Sequence, residues 1–263
     1  MIKLLDGQEW PREDLLKNME EDDFYYGFLD TNKVLSSSSI KDLLKSPKAF
    51  YKSRVTRDEG SQALRDGRLV HMSILEKHKL DDLVILEGTK ARKDFKEAVA
   101  EHGEHMVYTS SEMESAYWIA DAVERNNEAS FLLSNCKYEV PEIGYFKGYD
   151  VPFRAKADAL TKDGSIIIDL KTTSSPVEDF RWSAKKYKYA LQAALYKYLF
   201  DADEFIFLVV DKSTKDIGIF ECSDAFIEEG VNDILKGLEV YSKYFKQPNT
   251  KELLNNYVVR DIL

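Results

Sequence analysis

Cysteine is nearly absent. Of 263 residues only Cys136 and Cys222 are cysteines, too few for a disulfide framework and without the C-x-x-C spacing of a zinc or iron–sulfur centre. That usage fits a reducing, intracellular setting. No apolar run approaches the ~20 residues needed to cross a bilayer. The first residues are acidic rather than basic-then-apolar, so no signal peptide is expected. The phosphate loop Gly-x-x-x-x-Gly-Lys-(Ser/Thr) is missing as well, which excludes a built-in ATP-driven motor. Positive charge is in deficit: 37 Lys and Arg stand against 47 Asp and Glu, a formal net charge of −10. A protein that coats DNA with a uniformly basic surface is thereby excluded. A local basic patch is not. What the chain does have is core-forming material, 44% hydrophobic, ample for one large or two small domains.

The stretch Lys156 to Thr173 reads as two strands joined by a tight turn at Lys162-Asp163-Gly164. Its second strand, from Ser165, is the β-branched run Ile166-Ile167-Ile168 and ends in Asp169-Leu170-Lys171. Side chains alternate along a strand, so Asp169 and Lys171 share a face that Leu170 does not. Asp158 lies towards the same end of the partner strand. Two carboxylates and an ammonium therefore converge where a buried strand meets solvent. Carboxylate oxygens are the ligands Mg²⁺ prefers. A lysine beside such a metal orients a water or neutralises charge developing on phosphate.

Around this hairpin the chain is mostly helical. Residues 1–35 read as an acidic, irregular arm whose aromatics, Phe24, Tyr25, Tyr26 and Phe28, pack on the body or on a neighbouring subunit. Ser36 to Ser39 offer N-caps for a helix from Ile40, broken near Pro47. Free N–H groups and the hydroxyls of Ser37 and Ser38 would equally suit a phosphate. Gly67 to Glu76 reads as a helix with His71 on the face of Ile74 and Leu75, and with Arg65 and Arg68 nearby. About 79–135 looks like a helical insert, with helices over Asp94–Ala100 and Ser111–Asn126. A first strand, Tyr138 to Phe146, carries Glu142, which either binds a second metal or sits on the surface.

Thr172 and Thr173 follow the strand and offer hydroxyls to phosphate. A long helix is expected from Asp179 to Phe200. It has no acidic residue between Phe180 and Phe200 but carries Arg181, Lys185, Lys186, Lys188 and Lys197 among tyrosines and Trp182. Such a helix suits a nucleic-acid backbone. Strands at Phe205–Asp211 and Ile217–Glu221 and a helix from Asp224 to Phe245 complete the reading.

Asp158, ten intervening residues, then Asp169-Leu170-Lys171 resembles the PD-(D/E)XK nuclease superfamily, with Ala157 in place of its proline. Gly67-x-x-x-His71 before the hairpin and Gln192-x-x-x-Tyr196 after it narrow the likeness to the RecE-like, lambda-exonuclease and RecB-type branch, as does the serine-led first helix. The resemblance implies an α/β fold: a restriction-endonuclease-like core with a mixed central sheet flanked by helices, spanning 36–263. It implies a Mg²⁺-dependent exonuclease, with Mn²⁺ able to substitute, that degrades linear double-stranded DNA from its ends, 5′→3′, and leaves 3′ single strands for recombination. Metal ligands would be Asp158, Asp169 and the Leu170 carbonyl, aided by His71 and Glu142. Lys171, Gln192 and Tyr196 would complete the catalytic centre. Ser37, Ser38, Arg65, Arg68, Thr172, Thr173, Lys185 and Lys188 would meet DNA. No ATP and no iron–sulfur cluster is implied. A ring-shaped homo-oligomer, a single-strand annealing partner and the cytoplasm of a bacterial or phage-infected cell are. The alternatives are a restriction-type or structure-specific endonuclease, or a non-catalytic DNA-binding recombination module.

Overall fold

The computed structural model describes residues 1–56 and 61–260. Residues 57–60 and 261–263 of the expected 36–263 domain lie outside the described residues. The N-terminal segment is not irregular. It forms a two-stranded ladder, β1 (Ile2–Lys3) with β2 (Glu9–Trp10), then helix α1 (Arg12–Asn18) and a π-type turn at Asp23–Phe28. Ile2, Leu4, Leu15, Met19, Tyr25, Leu29 and Val34 bury one another and Ile143 of the main sheet. Tyr25, with Phe24 and Phe28 beside it, therefore packs on the body of the same chain, whereas Tyr26 is exposed.

The first long helix divides where its proline requires. In α2 (Ser37–Lys45), Ser36 and Ser39 form a capping box. Ser46 is extended (φ −175°, ψ 157°), and Pro47 opens α3 (Pro47–Val55) at the first-turn position that tolerates its missing N–H. Helix α4 (Gln62–Leu75) follows. The insert is helical, as expected, with α5 (Lys93–His102), α6 (Ser110–Arg125) and α7 (Asn127–Ser134). It also holds a parallel pair, β3 (Val84–Leu86) and β4 (Val107–Thr109). Three residues are too few to display a period-2 pattern. Thr109, not a serine, caps α6 in a capping box with Glu112.

The centre is a mixed five-stranded sheet in sequential order: β5 (Cys136–Tyr145), β6 (Pro152–Thr161), β7 (Ile166–Thr173), β8 (Glu204–Asp211) and β9 (Ile217–Glu221). All neighbours are antiparallel except β7 and β8, which are parallel and so need a helical crossover. The tight β6–β7 turn forms because Gly164 adopts φ = 81°, and its N–H reaches Thr161 O at 2.8 Å. The crossover is two helices rather than one: α8 (Phe180–Lys186) and α9 (Tyr189–Phe200). Lys188 between them is left-handed (φ 52°), and its Nζ meets Asp233 Oδ2 at 2.7 Å. Asp233 belongs to α10 (Asp224–Phe245); α11 (Thr250–Asn255) ends the described fold.

Helices cover both faces. Leu69 and Val70 of α4 and Ile119 of α6 bury Ile168, Leu170 and Leu208. On the other side Ala193 of α9, with Phe180 and Ala184 of α8, covers Ala157, Ile167, Phe205 and Phe207. Sandwiched this way, β8 is buried from Phe205 to Asp211, which accounts for its unbroken apolar run.

Candidate active site

Strands β6 and β7 pair at Leu160↔Ile167 and Ala159↔Ile168, and there the ladder stops. The next available N–H, that of Leu170, donates to Asp158 Oδ2 at 2.8 Å instead of to a strand carbonyl. A carboxylate is thereby fixed in the opening between the strands. Helix α4, anchored by Leu69, Val70 and Met72, brings His71 to the same opening. His71 Nε2 lies 2.9 Å from Leu170 O, and Nδ1 lies 3.6 Å from Asp158 Oδ2. A carbonyl can only accept, so a neutral imidazole carries its hydrogen on Nε2 and turns the Nδ1 lone pair towards Asp158. The Leu170 carbonyl, expected as a metal ligand, here orients the histidine.

A third donor comes from β5. The register Tyr138↔Ala159 and Val140↔Ala157 places Glu139 opposite Asp158, and the ladder is interrupted there. Glu139 sits at φ = 50°, a conformation uncommon for a non-glycine residue and most frequent at functional sites. Ligand atoms of His71, Glu139 and Asp158 all lie within 4.8 Å of one another. Burial, and then the charge of Asp158, pushes the Glu139 carboxyl up to about 8.

Asp169 is 1% exposed. Its Oδ1 accepts from Gln192 Nε2 at 2.6 Å, and Lys171 forms an ion pair with Oδ2. Burial raises the Asp169 carboxyl to about 6; Lys171 opposes the rise and Asp158 adds to it. Burial works against the Lys171 ammonium, but Asp169 and Asp158 outweigh it and hold its pKa above the ordinary value. Tyr196, one turn beyond Gln192, packs its ring against Phe200 and Phe205, and burial pushes its phenol well above the usual range.

Other expected residues lie elsewhere or are already engaged. Glu142 pairs with Arg12 at 2.5 Å and accepts the Ile143 N–H at 2.7 Å; it is absent from the cluster that Glu139 completes. Arg65 meets Glu112 at 2.9 Å, bonds the carbonyls of Glu104 and Val107, and lies over the Tyr108 ring. It is committed to joining α4 to the insert. Thr173 closes a turn with Ser175, and Lys188 is held by Asp233. Ser38 bonds Ser36 at 2.8 Å. Ser37 and Thr172 are half-buried, whereas Arg68 and Lys185 are exposed.

Glu139 was missed because it and Glu142 lie on opposite faces of β5, and only the register tells which face Asp158 shares. Counting back from a two-residue Lys147-Gly148 turn would have set Glu139 across from Lys156, on the face of Asp158; the observed connection, 146–151 between Tyr145 and Pro152, sets it directly across from Asp158.

The cluster suits a divalent cation. It offers two carboxylates and one imidazole lone pair, a donor set that a divalent cation accepts, and Glu139, like the neighbouring Asp169, is raised by burial and by the charge of Asp158, which a cation would relieve. No helix among the described residues is long and apolar enough to cross a membrane.

A family model described as "PDDEXK-like domain of unknown function (DUF3799)" matches residues 36–251. No curated protein matches the chain. Among solved structures, a "Putative exonuclease" from Eubacterium rectale superposes with a TM-score of 0.65 at 19% identity, covering 92% of this chain and 95% of that one. A phage related exonuclease from Haemophilus somnus 129PT covers 81% of this chain and 95% of its own at 13% identity; its TM-score, 0.35, is too low to establish a common fold.

Proposed function

The chain belongs to the PDDEXK-like domain family, and from that premise we propose that it is a divalent-metal-dependent deoxyribonuclease that degrades linear duplex DNA from its ends. The observation that carries this reading is the convergence of Asp158, Asp169, Lys171, His71 and Glu139 at the point where β6 and β7 part. A pure binding module needs no such set. Polarity is 5′→3′ in this reading, which leaves a 3′ single strand for an annealing partner.

Mg²⁺, or Mn²⁺ in its place, would be held by Asp158, Glu139 and His71, with Asp169 beside them. When bound it polarises the scissile phosphate and stabilises the leaving oxygen. The protein's own groups do the positioning. Gln192 fixes Asp169, Asp169 holds the Lys171 ammonium, and Lys171 donates to the attacking water and to charge developing on phosphate. The Leu170 N–H keeps Asp158 aimed into the opening, and the Leu170 carbonyl sets the face that His71 presents.

Helix α8 supplies a path for the DNA backbone. Arg181, Trp182, Lys185 and Lys186 are exposed on it, and among the described residues none of its cations is in an ion pair. A closed ring of copies would turn such surfaces inward and reconcile them with a net charge of −10. The cytoplasm of a bacterial or phage-infected cell is the setting this reading implies.

The test is digestion of blunt linear duplex DNA beside a covalently closed circle, with Mg²⁺ or EDTA, using wild type and Lys171→Ala. Metal-dependent loss of the linear duplex alone, abolished by the substitution, is the expected result. Cutting of the circle would make the protein an endonuclease. Binding of both DNAs without cleavage would remove the catalytic assignment.

A further inference from the structure

Among the described residues, a cation near the centre, Lys41, makes no ion pair. Lys41 is on α2, which is held firmly: Ile40 and Leu43 are buried, and Ile40 sits so close to α10 that a Cβ at Gly237 would meet it at 2.5 Å. The Lys41 Nζ lies 5.2 Å from the centroid of the Tyr189 ring, and Lys171 Nζ lies 5.2 Å from the same centroid. Two ammonium groups from different elements therefore lie against one aromatic ring at the start of α9. The nearby acids are already engaged. Asp42 bonds Lys45 at 3.1 Å, and Asp169 is taken by Lys171 and Gln192. Among the described residues Lys41 makes no ion pair.

Burial, and then repulsion from Lys171, brings the Lys41 amine down to about 8. Holding a cation in partial burial beside another cation costs free energy that the folded protein does not recover from a partner of its own. The ring offers a cation–π contact, which does not neutralise the charge. The serines that open α2 do not serve this purpose, because Ser36, Ser38 and Ser39 bond one another at 2.8 and 3.1 Å.

We propose that Lys41 is a phosphate-contacting residue of this centre, a second ammonium beside Lys171 that binds a non-bridging oxygen of the nucleic-acid backbone. The inference rests on the nuclease reading for its ligand, but binding tests it without cleavage. A phosphodiester oxygen supplies the single negative charge the site lacks, and it arrives only with substrate. Arginine should serve in the same place, whereas an uncharged side chain of similar length should not.

The experiment compares wild type, Lys41→Met and Lys41→Arg, full length, for affinity to a short DNA duplex in EDTA across a salt series. The expected result is weaker binding by Lys41→Met, with the slope of log affinity against log salt reduced by about one. Lys41→Arg should restore both. Unchanged affinity and slope in a Lys41→Met protein that melts like wild type would overturn the proposal. If Lys41→Met does not fold, amine-reactive labelling of wild type decides instead. Lys41 should be protected by duplex DNA while Lys45 is not, and equal labelling with and without DNA would overturn it. Wild type that binds DNA through Lys41 but cuts nothing in Mg²⁺ would refute the nuclease reading alone.

Discussion

Asp163 and Asp169 belong to one hairpin and are driven in opposite directions. At the turn, Asp163 Oδ1 accepts from Thr161 Oγ1 at 2.6 Å and from the Ser165 N–H and Oγ at 3.1 and 2.8 Å. Those bonds stabilise the charged form in solvent and hold its pKa at about 2. At the other end Asp169 is buried, and burial raises it to about 6 despite Lys171. The side chains are chemically identical. One spends its charge on closing a loop; the other keeps its charge under tension beside a lysine, Asp158 and an imidazole. Perturbation upward, in a cleft and next to a specific partner, marks Asp169 as a candidate functional group.

The comparison breaks most visibly under substitution. Asp169→Asn should lower DNA cleavage on the order of 10³-fold, as removal of a preorganised charge does, because Lys171 loses its partner. Asp163→Asn should leave the cleavage rate near wild type. Single-turnover rates on linear duplex measure both, and equal losses would erase the distinction between the two ends.

A smaller difference is expected on β5. Glu139→Gln should cost about 10–100-fold in metal affinity or rate, read as the Mg²⁺ concentration giving half-maximal cleavage. Glu142→Gln should leave that concentration unchanged and remove only the pairing with Arg12, worth about 0–1 kcal/mol at a solvent-accessible site. If Glu142→Gln raises the metal requirement and Glu139→Gln does not, the ligand set named here is wrong.

The smallest effect is on stability against pH. Glu139 and Asp169 have folded pKa values of about 8 and about 6, above their ordinary values of 4.5 and 3.8. Between those limits the folded state binds more protons than the unfolded state, so this contribution is favourable near pH 4 and is lost as pH rises through 6 and 8. Metal-free Glu139→Gln should therefore gain Tm relative to wild type as pH rises from 5 to 8. Added Mg²⁺ should raise the wild-type Tm more at pH 8 than at pH 5. Thermal melts with and without EDTA give both numbers. A gap between the two proteins that stays constant with pH would show that Glu139 is not held under tension.

Much of this was legible along the chain. Asp158, Asp169 and Lys171 stand within 14 consecutive residues, and a strand period of two with a glycine turn suffices to bring them together. His71 and Gln192 were singled out through the family resemblance of their motifs, and their side chains lie at the centre, one bonded to Leu170 O and one to Asp169. The break at Pro47 follows from a missing N–H. Less was legible where a residue's fate depends on a distant partner. Nothing near Arg65 in sequence says that Glu112 will take it. Nothing near Lys188 says that Asp233 will hold it and split the basic helix in two.

By itself the sequence determined the hairpin, its acidic end and the alternation of helix and strand, because these depend on periodicity, turn chemistry and neighbours a few residues away. Only the tertiary structure decided that Glu139 rather than Glu142 meets Asp158, that the N-terminal segment folds onto β5, and that Lys41 shares the Tyr189 ring with Lys171 and makes no ion pair among the described residues. Register, burial and the pairing of charges are properties of surfaces brought together from distant parts of the chain, and local propensity carries no record of them.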